Sequence, residues 1–104
     1  MTTTTIRARL RPLIPFLRAN SRQRQRMLRD NPVVVDRLCE IVWNVLKGKV
    51  PLSPGQKRRW GRRKQSLRRL VSPNISATQR VQLIQTGGFL PFIVPLALKL
   101  LSGL

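Results

Sequence analysis

The chain has 104 residues and a formal net charge of +18, from 21 Lys and Arg set against Asp30, Asp36 and Glu40. With no His and one Cys, Cys39, it excludes an internal disulfide and offers neither metal-ligand spacing nor the His-centred groups of common catalysts. An apolar content of 41% is too high for a disordered basic tail. We therefore expect one small folded domain with a basic coat, and a polyanionic partner: DNA, RNA or an anionic membrane surface.

Residues 2–5 are a Thr run that reads as a frayed end. No apolar h-region of a secretory signal follows it, which suits a reducing compartment. In residues 6–18, Leu10, Leu13, Ile14 and Leu17 recur at +3, +4 and +7, the spacing of an amphipathic helix. Pro12 and Pro15 should shorten or kink it, and Arg7, Arg9 and Arg11 would equally suit a basic arm. Asn20 or Ser21 can cap a short helix through Arg29, with Met27 and Leu28 on one side and Arg22, Arg24, Arg26 and Arg29 around the other. Asn31-Pro32 should end it, Asn31 tolerating the left-handed region.

Residues 32–47 read as the central buried helix. Val34, Leu38, Ile41, Val42, Val45 and Leu46 form the stripe; Val35, Cys39 and Trp43 widen it. The Val run at 33–35 would suit a strand as well, but length and caps favour a helix. Asp36 and Glu40 lie toward the positive end of the helix dipole and can partner nearby Arg, Lys47 lies at the negative end, and Gly48 suits the left-handed position beyond it. Cys39, inside an apolar run without His, reads as a small buried hydrophobe.

After a connector at 49–51 comes the most basic part of the chain, within a helix expected over about 53–71. Ser53, Pro54 and Gln56 form a capping-box pattern. Trp60, Leu67, Leu70 and Val71 share one face, which leaves Lys57, Arg58, Arg59, Arg62, Arg63, Lys64, Arg68 and Arg69 on the rest. These eight are the candidate phosphate contacts, Arg being suited to bidentate bonding. If six to eight cations reach phosphates, affinity should fall by about 10³–10⁵ between ~50 and ~200 mM salt. Nothing in the segment predicts base reading. Trp60 can pack in the core or stack on a base, and RRWGRRK also has the composition of a nuclear-import signal.

Residues 72–74 read as a loop, and Ser76 to Gln79 as a second capping box opening a helix with Val81, Leu83 and Ile84. Gly87-Gly88 stops it. The whole reads as all-α, a small bundle of four or five short helices. It divides into a basic helical domain at 1–86 and, at 87–104, a Gly-Gly junction with an apolar C-terminal tail. Residues 89–104 carry one charge, Lys99. As a helix they would reach roughly 24 Å, short of a ~30 Å hydrocarbon core, and Pro91 and Pro95 should shorten it. The tail can complete the core, lie on a membrane, or dock another protein.

At this junction Gln85, Thr86, Gly87 and Gly88, followed by Phe89, resemble the cleavage site of adenovirus-type maturation proteases. GGFLPFIVPLALKLL resembles the segment after the corresponding Gly-Gly in the precursor of adenovirus core protein X. A helical basic region followed by TGGFLP is similar to the core-protein-X-like proteins of adintoviruses and Polinton (Maverick) elements. The resemblance implies a non-enzymatic virion core protein without cofactors. It would bind and condense viral double-stranded DNA by neutralising phosphates, reside in the virion core and host nucleus, and be processed after Gly88 by the viral maturation protease. Residues 89–104 would then meet a membrane or a capsid protein. The Gly-Gly pair is also an ordinary helix stop, and the two roles are compatible. The chain departs from the adenovirus pattern in having a long apolar helix at 32–47. A second reading is a membrane-active viral protein that uses the apolar tail during entry. A third, a ribosome-like RNA-binding protein, keeps the charge and leaves the tail unexplained.

Overall fold

Three reciprocal capping boxes begin three of the helices. Asn20 Oδ1 accepts from the Gln23 N–H at 2.9 Å while Gln23 Oε1 accepts from the Asn20 N–H at 3.1 Å. Ser53 with Gln56 (3.2 and 2.9 Å) and Ser76 with Gln79 (3.1 and 3.0 Å) repeat the arrangement. Each satisfies donors that the first turn leaves open, and each cap contributes about 1 kcal/mol.

The computed structural model describes residues 3–86 and 88–102. The elements in order are α1 (Thr3–Leu10), a 3-10 turn (Arg11–Leu13), α2 (Ile14–Arg18), α3 (Ser21–Asp30), α4 (Pro32–Leu46), α5 (Pro54–Arg62), α6 (Lys64–Leu70), α7 (Ala77–Thr86) and α8 (Leu90–Leu101). The fold is all-α, with no strand among the described residues; Val33, Val34 and Val35 are helical. The helices outnumber the four or five expected because two expected helices are each broken. In the first, Pro12 and Pro15 remove two N–H donors, and the chain tightens into the 3-10 turn between α1 and α2. The helical run also begins at Thr3, inside the end expected to fray, Thr2 lying outside the described residues. In the second, Arg63 leaves the helical region at φ −111°, ψ 16°. Gly61 is a weak helix former, and Arg58 with Arg62 and Arg59 with Arg63 repel as like-charge i,i+4 pairs. The basic helix breaks where these weaknesses meet.

Helix α4 lies at the centre, with Val34, Val35, Leu38, Ile41 and Val42 buried. Around it pack Leu10, Leu13, Phe16 and Leu17 from the N-terminal run, Leu28 of α3, Val50, Trp60, Leu67, Leu70 and Ile84. Phe89, Ile93, Leu96 and Ala97 complete the same core, and α8 meets α1, α4 and α5. The boundary drawn at 86/87 thus runs through one hydrophobic core. Pro91 occupies the first turn of α8, where its missing N–H has no role. Pro95 was expected to cut the helix short, yet α8 continues through it. Both prolines are on the exposed side, where the carbonyl that Pro95 leaves without its usual donor can meet water.

Three local expectations are corrected. Trp43 does not widen the buried stripe: it is 46% exposed, with the Lys47 Nζ 4.5 Å from its ring centroid. Asn31 is extended (φ −127°), not left-handed. It ends α3 and also caps α4, its side chain accepting from the Val33 N–H at 3.2 Å. Ile14, expected in the stripe, is half-buried, whereas Phe16 is fully buried. Gly48 has the expected positive φ, 74°.

Candidate nucleic-acid interface

The basic strip is carried by α5, the break at Arg63, and α6. Trp60 (6% exposed), Leu67 and Leu70 anchor it to the core. Of the two roles open to Trp60, core packing is the one its burial allows. With those three side chains directed inward, Lys57, Arg58, Arg59, Arg62, Arg63, Lys64, Arg68 and Arg69 are all exposed. The fold brings all eight together on one element pair.

Glu40, the acid in the middle of α4, is engaged away from the strip. Glu40 Oε1 accepts from the Arg9 Nε–H, and its Oε2 lies 3.4 Å from Arg37 Nη1. Glu40 keeps the Arg9 guanidinium more firmly protonated, first by the hydrogen bond and then by its charge. Among the described residues, Lys57, Arg58, Arg59, Arg62, Lys64, Arg68 and Arg69 form no ion pair. Arg22, Arg26 and Arg29, at +4 and +7 along α3, add a second exposed basic face.

Arg63 differs from its neighbours. Its guanidinium lies 5.3 Å from the Phe92 ring centroid, a cation–π contact, and its nitrogens are 3.5 Å from where a Cβ on Gly88 would sit. Gly88 itself has φ +68°, a conformation natural to Gly. One Arg of the strip thus rests on the junction that leads into α8.

Of the candidate cleavage residues, Gln85 and Thr86 are exposed at the end of α7, and Gly88 is exposed beneath Arg63. Gln85 donates weakly to the Gln25 carbonyl at 3.4 Å. Phe89 is wholly buried. Gly87 lies outside the described residues. A protease that binds its substrate extended would have to draw Phe89 from the core before reaching the Gly88–Phe89 bond.

Two arginines that sequence reasoning left among the coat are clamps. Arg24 donates from Nε to the Phe16 carbonyl at 3.0 Å and from Nη2 to the Leu17 carbonyl at 2.8 Å. Arg80 does the same to Leu70 and Ser72, both at 3.0 Å. Each is the residue just after the Gln of a capping box, and each satisfies carbonyls at or just beyond the end of the preceding helix. The repeated Gln-Arg at 23–24 and 79–80 was the available signal. Cys39 is half-buried, and burial pushes its thiol up to about 11 against the opposing pull of Arg80. Among the described residues no group of His, Cys, Asp or Glu is placed to hold a metal ion. No single described helix is long and apolar enough to cross a membrane; α7 and α8 together have the length and composition but are bent by 97° across the junction.

No protein-family model, curated protein or solved structure matches the chain.

Proposed function

We propose that this chain is a non-enzymatic virion core protein that coats and condenses double-stranded DNA through phosphate neutralisation. The observation that carries the reading is the exposed strip: eight cations held on one element pair by three buried anchors. Charge and size agree with it. The molecule measures 30 × 28 × 23 Å. A duplex of that length carries about 18 phosphates, at one per ~1.7 Å of axis. The net charge of the chain is +18. One molecule per ~30 Å of duplex would therefore cancel the charge it covers, the condition under which neighbouring duplexes stop repelling. No base-reading element is needed for such a coat. The virion setting rests on the likeness of residues 85–100 to the core-protein-X segment.

Processing after Gly88 belongs to the same proposal, and the burial of Phe89 makes it depend on opening of the α7–α8 junction. The test is fluorescence anisotropy of a labelled duplex at two salt concentrations. Between ~50 and ~200 mM salt the affinity should fall by about 10³–10⁵. Absence of binding, or binding indifferent to salt, would overturn the reading.

A further inference from the structure

Besides the phosphate strip, the molecule presents an aromatic surface on α4. Trp43 is 46% exposed, although Trp is on average a well-buried residue. The other tryptophan, Trp60, is 6% exposed. The Trp43 indole forms one wall of a shallow recess of about 260 Å³, completed by Cys39, Glu40, Val71 and Arg80. That is smaller than the ~300–1,000 Å³ of sites for drug-sized ligands and is on the scale of a single planar ring.

The charges around the ring select the ring's chemistry. Lys47 Nζ lies over the indole, 4.5 Å from its centroid, a cation–π contact that a stacking base replaces as the ammonium turns to the phosphate. Arg80 is in the recess wall, held by its bonds to Leu70 and Ser72. The acid there, Glu40, has both oxygens engaged, by Arg9 and Arg37. The walls offered by Cys39 and Val71 are apolar. An aromatic face, a neutralised acid and two cations fit a flat ring that carries a phosphate.

We infer that Trp43 is a stacking platform for an unpaired nucleobase, with Lys47 meeting the phosphate of the same strand. The inference rests on the nucleic-acid reading and adds to it a class of ligand, single-stranded nucleic acid, that the duplex coat does not require. Bases inside a duplex are stacked on one another and cannot reach this surface, whereas an unpaired base has a face to offer. Both modes share the charge of the body and differ in the one aromatic contact.

The two tryptophans make the test direct. The full chain is titrated with an oligothymidylate and with a duplex of the same length, and intrinsic fluorescence and affinity are both followed. The oligothymidylate should quench the wild-type protein, and Trp43→Phe, in which Trp60 alone emits, should lose that quenching. Trp43→Ala should bind the oligothymidylate roughly 5- to 150-fold more weakly, the range for loss of one base–aromatic stack, and should bind the duplex within about twofold of wild type. Circular dichroism of both variants checks that the fold is kept; Trp43→Phe keeps an aromatic ring and serves if Trp43→Ala does not fold. Quenching that persists in Trp43→Phe, single-strand affinity unchanged in Trp43→Ala, or equal weakening toward both ligands would overturn the inference and leave the duplex reading standing. Self-association through Trp43, seen as concentration-dependent quenching without nucleic acid, would overturn it in favour of a second copy. Failure to bind either ligand would remove the nucleic-acid reading itself.

Discussion

Arginine has two opposite fates in this molecule. At one position in α3 and one in α7 it points back toward the preceding helix: Arg24 and Arg80 each close two carbonyls at 2.8–3.0 Å. In α5 and α6 it points away: Arg58, Arg59, Arg62, Arg68 and Arg69 are exposed and form no ion pair among the described residues. The side chain is the same, and so is the capping box that opens α3, α5 and α7. The difference is what stands opposite. Where a helix end offers bare carbonyls, the planar guanidinium satisfies two at once and becomes part of the fold. Where only solvent stands opposite, its charge stays available to a polyanion. Net charge alone therefore overstates the number of cations open to a partner, and Arg63, lying against Phe92 and Gly88, stands between the two groups.

The largest effect should come from the exposed group. Replacing the eight cations of α5–α6 with Gln should shrink the affinity loss between ~50 and ~200 mM salt from about 10³–10⁵ to below about 10², because the slope follows the number of phosphates neutralised. The melting temperature should hold or rise, since like-charge pairs are removed. A slope equal to wild type would move the interface to α3.

The clamps should show the reverse pattern. Arg80→Ala, which leaves the Leu70 and Ser72 carbonyls without their donors, should cost about 1–3 kcal/mol in chemical denaturation and leave the salt slope nearly unchanged. Arg80→Lys should recover only part, an ammonium lacking the two-pronged geometry. Arg68→Gln, chosen from the strip, should stay within about 0.5 kcal/mol of wild type.

Smaller again is the capping term. Ser76→Ala should cost about 1 kcal/mol by the same denaturation measurement. A separate effect concerns Cys39 and pH. Its folded pKa is raised, to about 11 from an ordinary 9.0, because burial disfavours the thiolate. The folded state thus holds this proton more tightly. The associated stability is complete below pH ~9 and is lost as pH rises through about 11. Thiol labelling of the native protein at pH ~8 should accordingly be slower than labelling of the unfolded chain.

The core supplies a contrast with both Arg groups. Phe89→Ala should cost about 3–5 kcal/mol, as for other fully buried aromatics, and should also speed proteolysis at the α7–α8 junction by freeing α8. Stability unchanged in this variant would mean that α8 does not complete the core.

Much of this was legible locally. Ser53, Gln56, Ser76 and Gln79 marked two helix starts because a capping box involves only four neighbouring residues. Gly48 marked a helix end because few other residues accept its φ of 74°. The stripe of Trp60, Leu67 and Leu70 was correct because helical periodicity needs only the order of residues, and it survives the break at Arg63. The exposure of the eight cations followed from that stripe.

The tertiary structure decided matters that need a neighbour from elsewhere in the chain. Periodicity placed Trp43 near the buried stripe of α4, yet it stays 46% exposed, because a stripe becomes core only where another element packs against it. Residues 89–101 are apolar enough for a core, a membrane or a partner, and the contacts of α8 with α1, α4 and α5 show the first. Arg24 and Arg80 looked like the other arginines because the carbonyls they hold lie 7 to 10 residues back along the chain, at or just beyond the end of a different helix. Charge, helix starts and apolar faces were thus written in the order of residues, since each depends on at most a few turns of one helix. Which face was covered and which arginine remained open to solvent depended on distances between helices, and those exist only in the folded chain.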